Sequence, residues 1–96
     1  MEDLTRFDVA AFNGALMVVV ESDLLPPDPA IVVVPLLAQY PAVTLLNPTI
    51  RFQDQPLILA TRLIASVHRA PLRRAGHVRD HADAITRALD ILITGV

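Results

Sequence analysis

The dipeptide Asn13-Gly14 separates two apolar runs, Phe7 to Phe12 and Ala15 to Glu21. Asn followed by Gly is the pair that most readily takes positive φ at both centres of a two-residue turn, so the chain is expected to open with a β-hairpin. After it, Ser22 to Ala30 reads SDLLPPDPA, and its three prolines cannot donate to a ladder. That stretch leaves the sheet as an ordered loop carrying Leu24 and Leu25. Ile31 to Val34 is a β-branched run ended by Pro35, and its lack of alternation predicts a strand covered on both faces.

Pro41 interrupts Leu36 to Leu46, which reads as irregular. Thr49 to Phe52 and Leu57 to Thr61 flank Gln53-Asp54-Gln55-Pro56, the length and chemistry of a second hairpin. Ile64 to Val67 adds a short strand, and Ala70-Pro71 and Ala75-Gly76 bracket a basic loop holding Arg73 and Arg74. The last element is a helix. Val78, Ile85, Ala88, Leu89, Leu92 and Val96 fall on one face and Asp83, Thr86, Arg87, Asp90 and Thr94 on the other. Asp80 is the expected N-cap, and Gly95 ends the helix. Ile91 projects away from the apolar stripe and Ile93 lies at its edge, more apolar surface than one core contact requires.

With 96 residues the chain is read as one domain, residues 1–96. Its residues are 53% hydrophobic but only 4% aromatic, so the core is aliphatic and apolar surface is left over. A homodimer is the expected way to cover it. The absence of cysteine excludes a disulfide framework, a thiolate zinc site and a cysteine nucleophile. The apolar runs are far below membrane-spanning length and no export signal is visible, so a cytoplasmic protein without a membrane partner is expected. Charge is unevenly spread: Glu2, Asp3, Asp8, Glu21, Asp23 and Asp28 face only Arg6 before residue 49. Seven arginines outweigh four aspartates after it, a basic surface able to attract an acidic peptide or nucleic acid.

The chemistry of catalysis is largely missing. His77 and His81 stand at i and i+4, but no HExxH motif accompanies them, and Asp80 and Asp83 are explained as charges in the first turn of the helix. No glycine-rich phosphate loop occurs, and no metal or cofactor is expected. One enzymatic alternative is metal-free RNA cleavage by Arg51, Thr61, Arg62 and His68 in a basic groove, against the plainer reading of Arg51 and Arg62 as solvent-facing strand residues. One tyrosine and three phenylalanines make a thin stacking platform, so direct sequence-specific nucleic-acid binding is not expected.

Several segments in order carry a resemblance. Val18 to Leu36 reads VVVESDLLPPDPAIVVVPL, with Ser22-Asp23 followed by two aliphatics, a Pro-containing loop and a strand ending in Pro35-Leu36. Asn47-Pro48 before a strand, LATRLIASV over Leu59 to Val67 and the terminal ILITGV continue it. Taken together, the chain resembles the CcdB toxin family over nearly its whole length. The resemblance implies a mainly β (α+β) fold, an SH3-like barrel of the CcdB/Kid/MazF type with a C-terminal α-helix. It further implies a homodimer, the toxin of a type II toxin-antitoxin system, that poisons a topoisomerase and is not an enzyme. Its target would be the DNA gyrase A subunit or a related topoisomerase, with a cognate antitoxin, partly disordered until bound, as second partner.

Carried onto this sequence, the gyrase-binding residues would be Leu24 and Leu25 in the loop, Asp90 and Ile91 on the helix, and Thr94, Gly95 and Val96 at its end. Two positions depart from the family pattern: Thr94 stands in place of a tryptophan, and Asp90 in place of a neutral amide. Arg69, Arg73 and Arg74 are the expected antitoxin contacts. Two alternatives follow: a barrel-type endoribonuclease toxin, or a non-poisoning relative that keeps dimerisation and antitoxin binding. A plainer reading has Leu24 and Leu25 plugging the barrel beneath their loop.

Overall fold

The computed structural model describes residues 3–95. The chain runs β1 (Asp8–Phe12), β2 (Ala15–Val19), β3 (Ala30–Leu37), β4 (Thr49–Phe52), β5 (Gln55–Leu59), β6 (Ala65–His68), β7 (Arg73–His77) and α1 (Ala82–Thr94), with single 3₁₀ turns at Thr61–Leu63 and Arg79–His81. All strand pairs are antiparallel, in the order β4-β5-β3-β2-β1-β7, and β6 pairs with the first half of β3. Asn13 and Gly14 both take positive φ, and the β1–β2 register closes at Phe12 opposite Ala15. The second hairpin is tighter than expected. Gln53 and Asp54 alone form its turn, both at positive φ, and Pro56 already lies in β5 opposite Arg51.

β3 is the strand on which the sheet is organised. It pairs with β2 on one side, and on the other with β6 through Val33 and then β5 from Leu36. Pro35 does not end it, contrary to the sequence expectation. The Pro35 carbonyl accepts the Ala60 N–H at 3.0 Å, and the residue falls where the neighbour changes from β6 to β5, so a missing N–H disrupts no ladder there. The run of apolar residues in β3 is explained by two cores. Val34 and Leu36 pack with Val9, Val18, Ile50, Leu59, Val78 and Ile85 on one face, whereas Ile31 and Val33 pack with Leu4, Ala10, Val19 and Leu72 on the other.

Arg73 and Arg74 are not in a loop. They begin β7, which pairs with β1 across a bulge that leaves Ala75 opposite no residue between the Val9↔Gly76 and Ala10↔Arg74 pairs. The segment Arg73–His77 carries no alternating apolar pattern because it is an edge strand, where charged residues are favoured. Likewise Leu57 to Thr61 is a strand only as far as Leu59, and Thr61 opens the 3₁₀ turn. Thr61 is fully buried, with its hydroxyl donated to the Leu46 carbonyl and its N–H to Asn47 Oδ1.

The sheet curls into a half-barrel, bringing its two end strands together. A Cβ at Gly76 on β7 would lie 2.9 Å from Cε1 of Phe52 on β4, and Gly76 has φ +154°. At the same seam the Arg51 N–H of β4 donates to His81 Nε2 at 3.2 Å, which occupies one donor of that edge. α1 packs Ile85 and Ala88 into the core. Asp80 is not its N-cap: it belongs to the preceding 3₁₀ turn, and His81 stands at the cap with no side-chain bond to the helix N-terminus. Gly95 takes φ +78° and donates to the Ile91 carbonyl at 3.0 Å, the left-handed stop that its sequence position predicts.

Gly76→Ala is expected to destabilise the fold by about 2 kcal/mol, from backbone strain and the clash with Phe52 together. Urea unfolding measures it, and Phe52→Leu in the same chain should recover part of the loss.

Candidate binding surface

The loop after β2 is fixed from four sides. Glu21 Oε1 accepts the Val32 N–H at 3.2 Å and its other oxygen meets Arg69 Nη2 at 3.5 Å. Arg69 in turn donates its backbone N–H to Pro29 O and its Nε–H to Asp28 O, at 2.8 and 3.1 Å. Asp28 Oδ2 accepts the Ala30 N–H, Ser22 Oγ accepts the Leu24 N–H, and Asp23 Oδ1 accepts the Arg6 N–H at 2.8 Å. Such side-chain to backbone bonds replace the ladder that three prolines forbid. The leucines are left outside: Leu24 is 93% exposed and Leu25 55%. Neither plugs the barrel.

The outer face of α1 forms the second part. Asp90 is exposed, and Ile91 is half-buried beside Leu45, Thr86 and Arg87 in a shallow groove of about 570 Å³. The isoleucine that projects is Ile93, 75% exposed, rather than Ile91. This differs from the sequence expectation: Ile91 lines a groove together with Leu45, which comes from a distant turn of the chain. Thr94 donates its hydroxyl to the Asp90 carbonyl at 2.6 Å, a back-bond within the helix that turns its only polar group inward. Gly95 is exposed; Val96 lies outside the described residues.

Arg6 links the two parts, and nothing in the sequence marks it except its being the lone cation of the first half. Its backbone binds Asp23 in the loop, its Nη2 donates to Thr86 Oγ1 at 3.4 Å on the helix, and its guanidinium lies 4.8 Å over the Phe7 ring. The Leu24 loop and the Asp90 face therefore flank one residue. Of the basic residues, Arg69 is committed internally with a side chain only 15% exposed, and Arg74 Nε lies 3.3 Å from Asp8 Oδ1. Arg73 sits on the exposed part of β7.

Two of the three histidines serve as backbone acceptors. His77 Nδ1 accepts the Arg79 N–H at 3.3 Å, and His81 Nε2 accepts the Arg51 N–H while standing 3.7 Å from Asp80 Oδ2. Among the described residues no His, Asp and Glu group could hold a metal ion. No helix of the described residues is long and apolar enough to cross a membrane.

The described residues form a curled antiparallel half-barrel sheet with one C-terminal helix, on which Leu24, Leu25 and Ile93 are exposed. The family model for the CcdB protein matches residues 7–95, from Phe7 in the turn before β1 to the glycine that ends α1. The chain belongs to the CcdB family. No curated protein matches it.

Arg69→Ala is expected to cost about 1–2 kcal/mol, since it leaves the mostly buried Glu21 carboxylate without its cation and frees the Pro29 end of the loop. Amide exchange at Ala30 and Val32 should accelerate in that variant while exchange in α1 does not; uniform acceleration through the chain would contradict a local role.

Proposed function

We propose that this protein is the toxin of a type II toxin-antitoxin module, and that it acts by binding the DNA gyrase A subunit or a related topoisomerase. In this reading the chain folds as one domain, an SH3-like barrel of the CcdB/Kid/MazF type, and pairs with a second copy in the cytoplasm. It inhibits without catalysing a reaction and without a cofactor, and a cognate antitoxin neutralises it. The match to the CcdB family over residues 7–95 carries the reading.

The surface supports it in detail. Leu24 and Leu25 offer apolar area that the molecule itself leaves uncovered, and the end of α1 offers Asp90, Thr94 and Gly95, with Val96 following. Ile91 contributes less than its sequence position suggests, and Ile93 takes over as the apolar group near the helix end. Arg6 holds loop and helix in fixed relation, which lowers the ordering cost of binding. For the antitoxin, Arg73 lies exposed on the edge strand β7, whereas Arg69 is mostly buried against Glu21.

The ribonuclease alternative is weakened by Thr61, whose buried hydroxyl is bonded to Leu46 O and is out of reach of a phosphate. A non-poisoning relative that keeps dimerisation and antitoxin binding is favoured by one observation: Thr94, where the family carries a tryptophan, folds its hydroxyl back on Asp90 and offers a partner only a methyl group. A buried interface tryptophan contributes about 2 kcal/mol or more, roughly thirtyfold in affinity.

Controlled expression in a bacterial host separates the two readings. Growth arrest by the intact chain, abolished by removing Thr94 to Val96, is the outcome expected of a toxin. Arrest that appears only with Thr94→Trp would identify a sound scaffold that no longer poisons this target.

A further inference from the structure

Beneath the 22–29 loop lies a cavity of about 710 Å³, floored by Leu4, Val19 and Ile31 and walled by Leu25, Pro27 and Pro29. Its rim is acidic. Asp3, Glu21, Asp23 and Asp28 stand around it, against Arg69 and His68. Arg69 is already matched by Glu21 at 3.5 Å. Asp23 and Asp28 each commit one oxygen to a backbone N–H, of Arg6 and of Ala30, and among the described residues neither carboxylate forms an ion pair. Among the described residues, no ion pair involves Asp3. An aliphatic floor under a surplus of carboxylates is complementary to a cation carried on a methylene stem, because the stem covers the apolar floor while the charged head meets the rim.

We propose that this cavity is the docking site for an extended, arginine- or lysine-bearing segment of the antitoxin, an inference that rests on the toxin reading above. The two leucines of the loop indicate which partner it suits. Leu24, at 93% exposure, does not line the cavity and is the group that the face of a folded protein meets first, whereas Leu25 forms the cavity wall. A chain that orders only on binding is able to lay one long side chain between Leu25 and the prolines. The sign of the contact is thus opposite to the one the arginine-rich second half suggests: Arg69, on this rim, is held by Glu21 and does not call for an acidic partner.

The probe is a capped Gly-Leu-Arg-Leu-Gly peptide, titrated into the full ¹⁵N-labelled chain beside its Gly-Leu-Glu-Leu-Gly counterpart. Expected are shifts confined to amides near Val19, residues 21–31 and residues 68–70, with the Arg peptide bound about tenfold more tightly than the Glu peptide at low salt and the difference shrinking as salt rises. Asp3→Asn with Asp28→Asn keeps the Ala30 hydrogen bond, removes two charges and should weaken the Arg peptide about fivefold. Equal binding of both peptides, shifts elsewhere, or indifference to the double variant would overturn the proposal. So would cavity shifts that grow with protein concentration in the absence of peptide, since a second copy would then be the occupant. Growth arrest by the double variant tests the underlying reading separately. Arrest equal to that of the unaltered chain, with peptide binding lost, supports an antitoxin site distinct from the toxic surface. A chain that never arrests growth removes the poisoning reading alone, and the peptide titrations then decide the antitoxin site by themselves.

Discussion

The Asp8 carboxylate is the point on which the closed form of the sheet depends. It is 1% exposed at the start of β1, and it accepts the Thr5 N–H and hydroxyl through one oxygen and meets Arg74 Nε and Arg79 Nη2 through the other, at 3.3 and 3.2 Å. A buried carboxylate is costly unless it is paired and fully bonded, and here both conditions hold. The three groups it gathers come from the N-terminal segment, from β7 and from the turn before α1. With those held together, β7 stays on the sheet, Gly76 meets Phe52, and α1 follows its 3₁₀ turn with Ile85 and Ala88 in the core. Both arginines are half exposed, so the carboxylate, rather than the pair energy, is the costly partner to orphan.

From that closure follows the division of the surface. Arg6 and Phe7 run between Thr5 and Asp8, so the N-terminal segment is carried past the Leu24 loop and the helix, and Arg6 touches both. The loop does not need a ladder because each of its turns is caught by Ser22, Asp23, Asp28 or Arg69. A rigid sheet with an ordered but unladdered loop can hold apolar side chains in water at modest cost to its own stability, and an exposed leucine pair fixed in this way is pre-organised for a partner. In the cavity behind Leu25 the same loop turns polar atoms inward to brace itself and leaves carboxylate oxygens over.

What could be read from the sequence was what local chemistry decides. Asn13-Gly14 marked the first hairpin, the unbroken Ile31–Val34 run marked a strand buried on both faces, and the 3.6-residue spacing from Ile85 marked the helix, because each depends on neighbours a few residues away. β7 was hidden. Its residues are polar, and it becomes a strand only through Asp8–Ala11, more than sixty positions earlier. The same separation hid Asp8, which reads as one acidic residue among several, and Arg6, whose partners Asp23 and Thr86 lie in different elements. Of the expected site, the loop leucines and Gly95 fall where the sequence placed them. Ile91 is half-buried and Ile93 exposed, a difference that helical periodicity alone does not encode.

Membership of the CcdB family together with an uncovered leucine loop and helix end makes binding of a topoisomerase the central claim, and Thr94 the residue that strains it. Calorimetric titration of the purified, folded chain into the dimerisation region of the gyrase A subunit tests it most directly. Saturable binding that Leu24→Asp abolishes is the predicted result. No detectable heat or complex at concentrations where the chain is folded would contradict the claim.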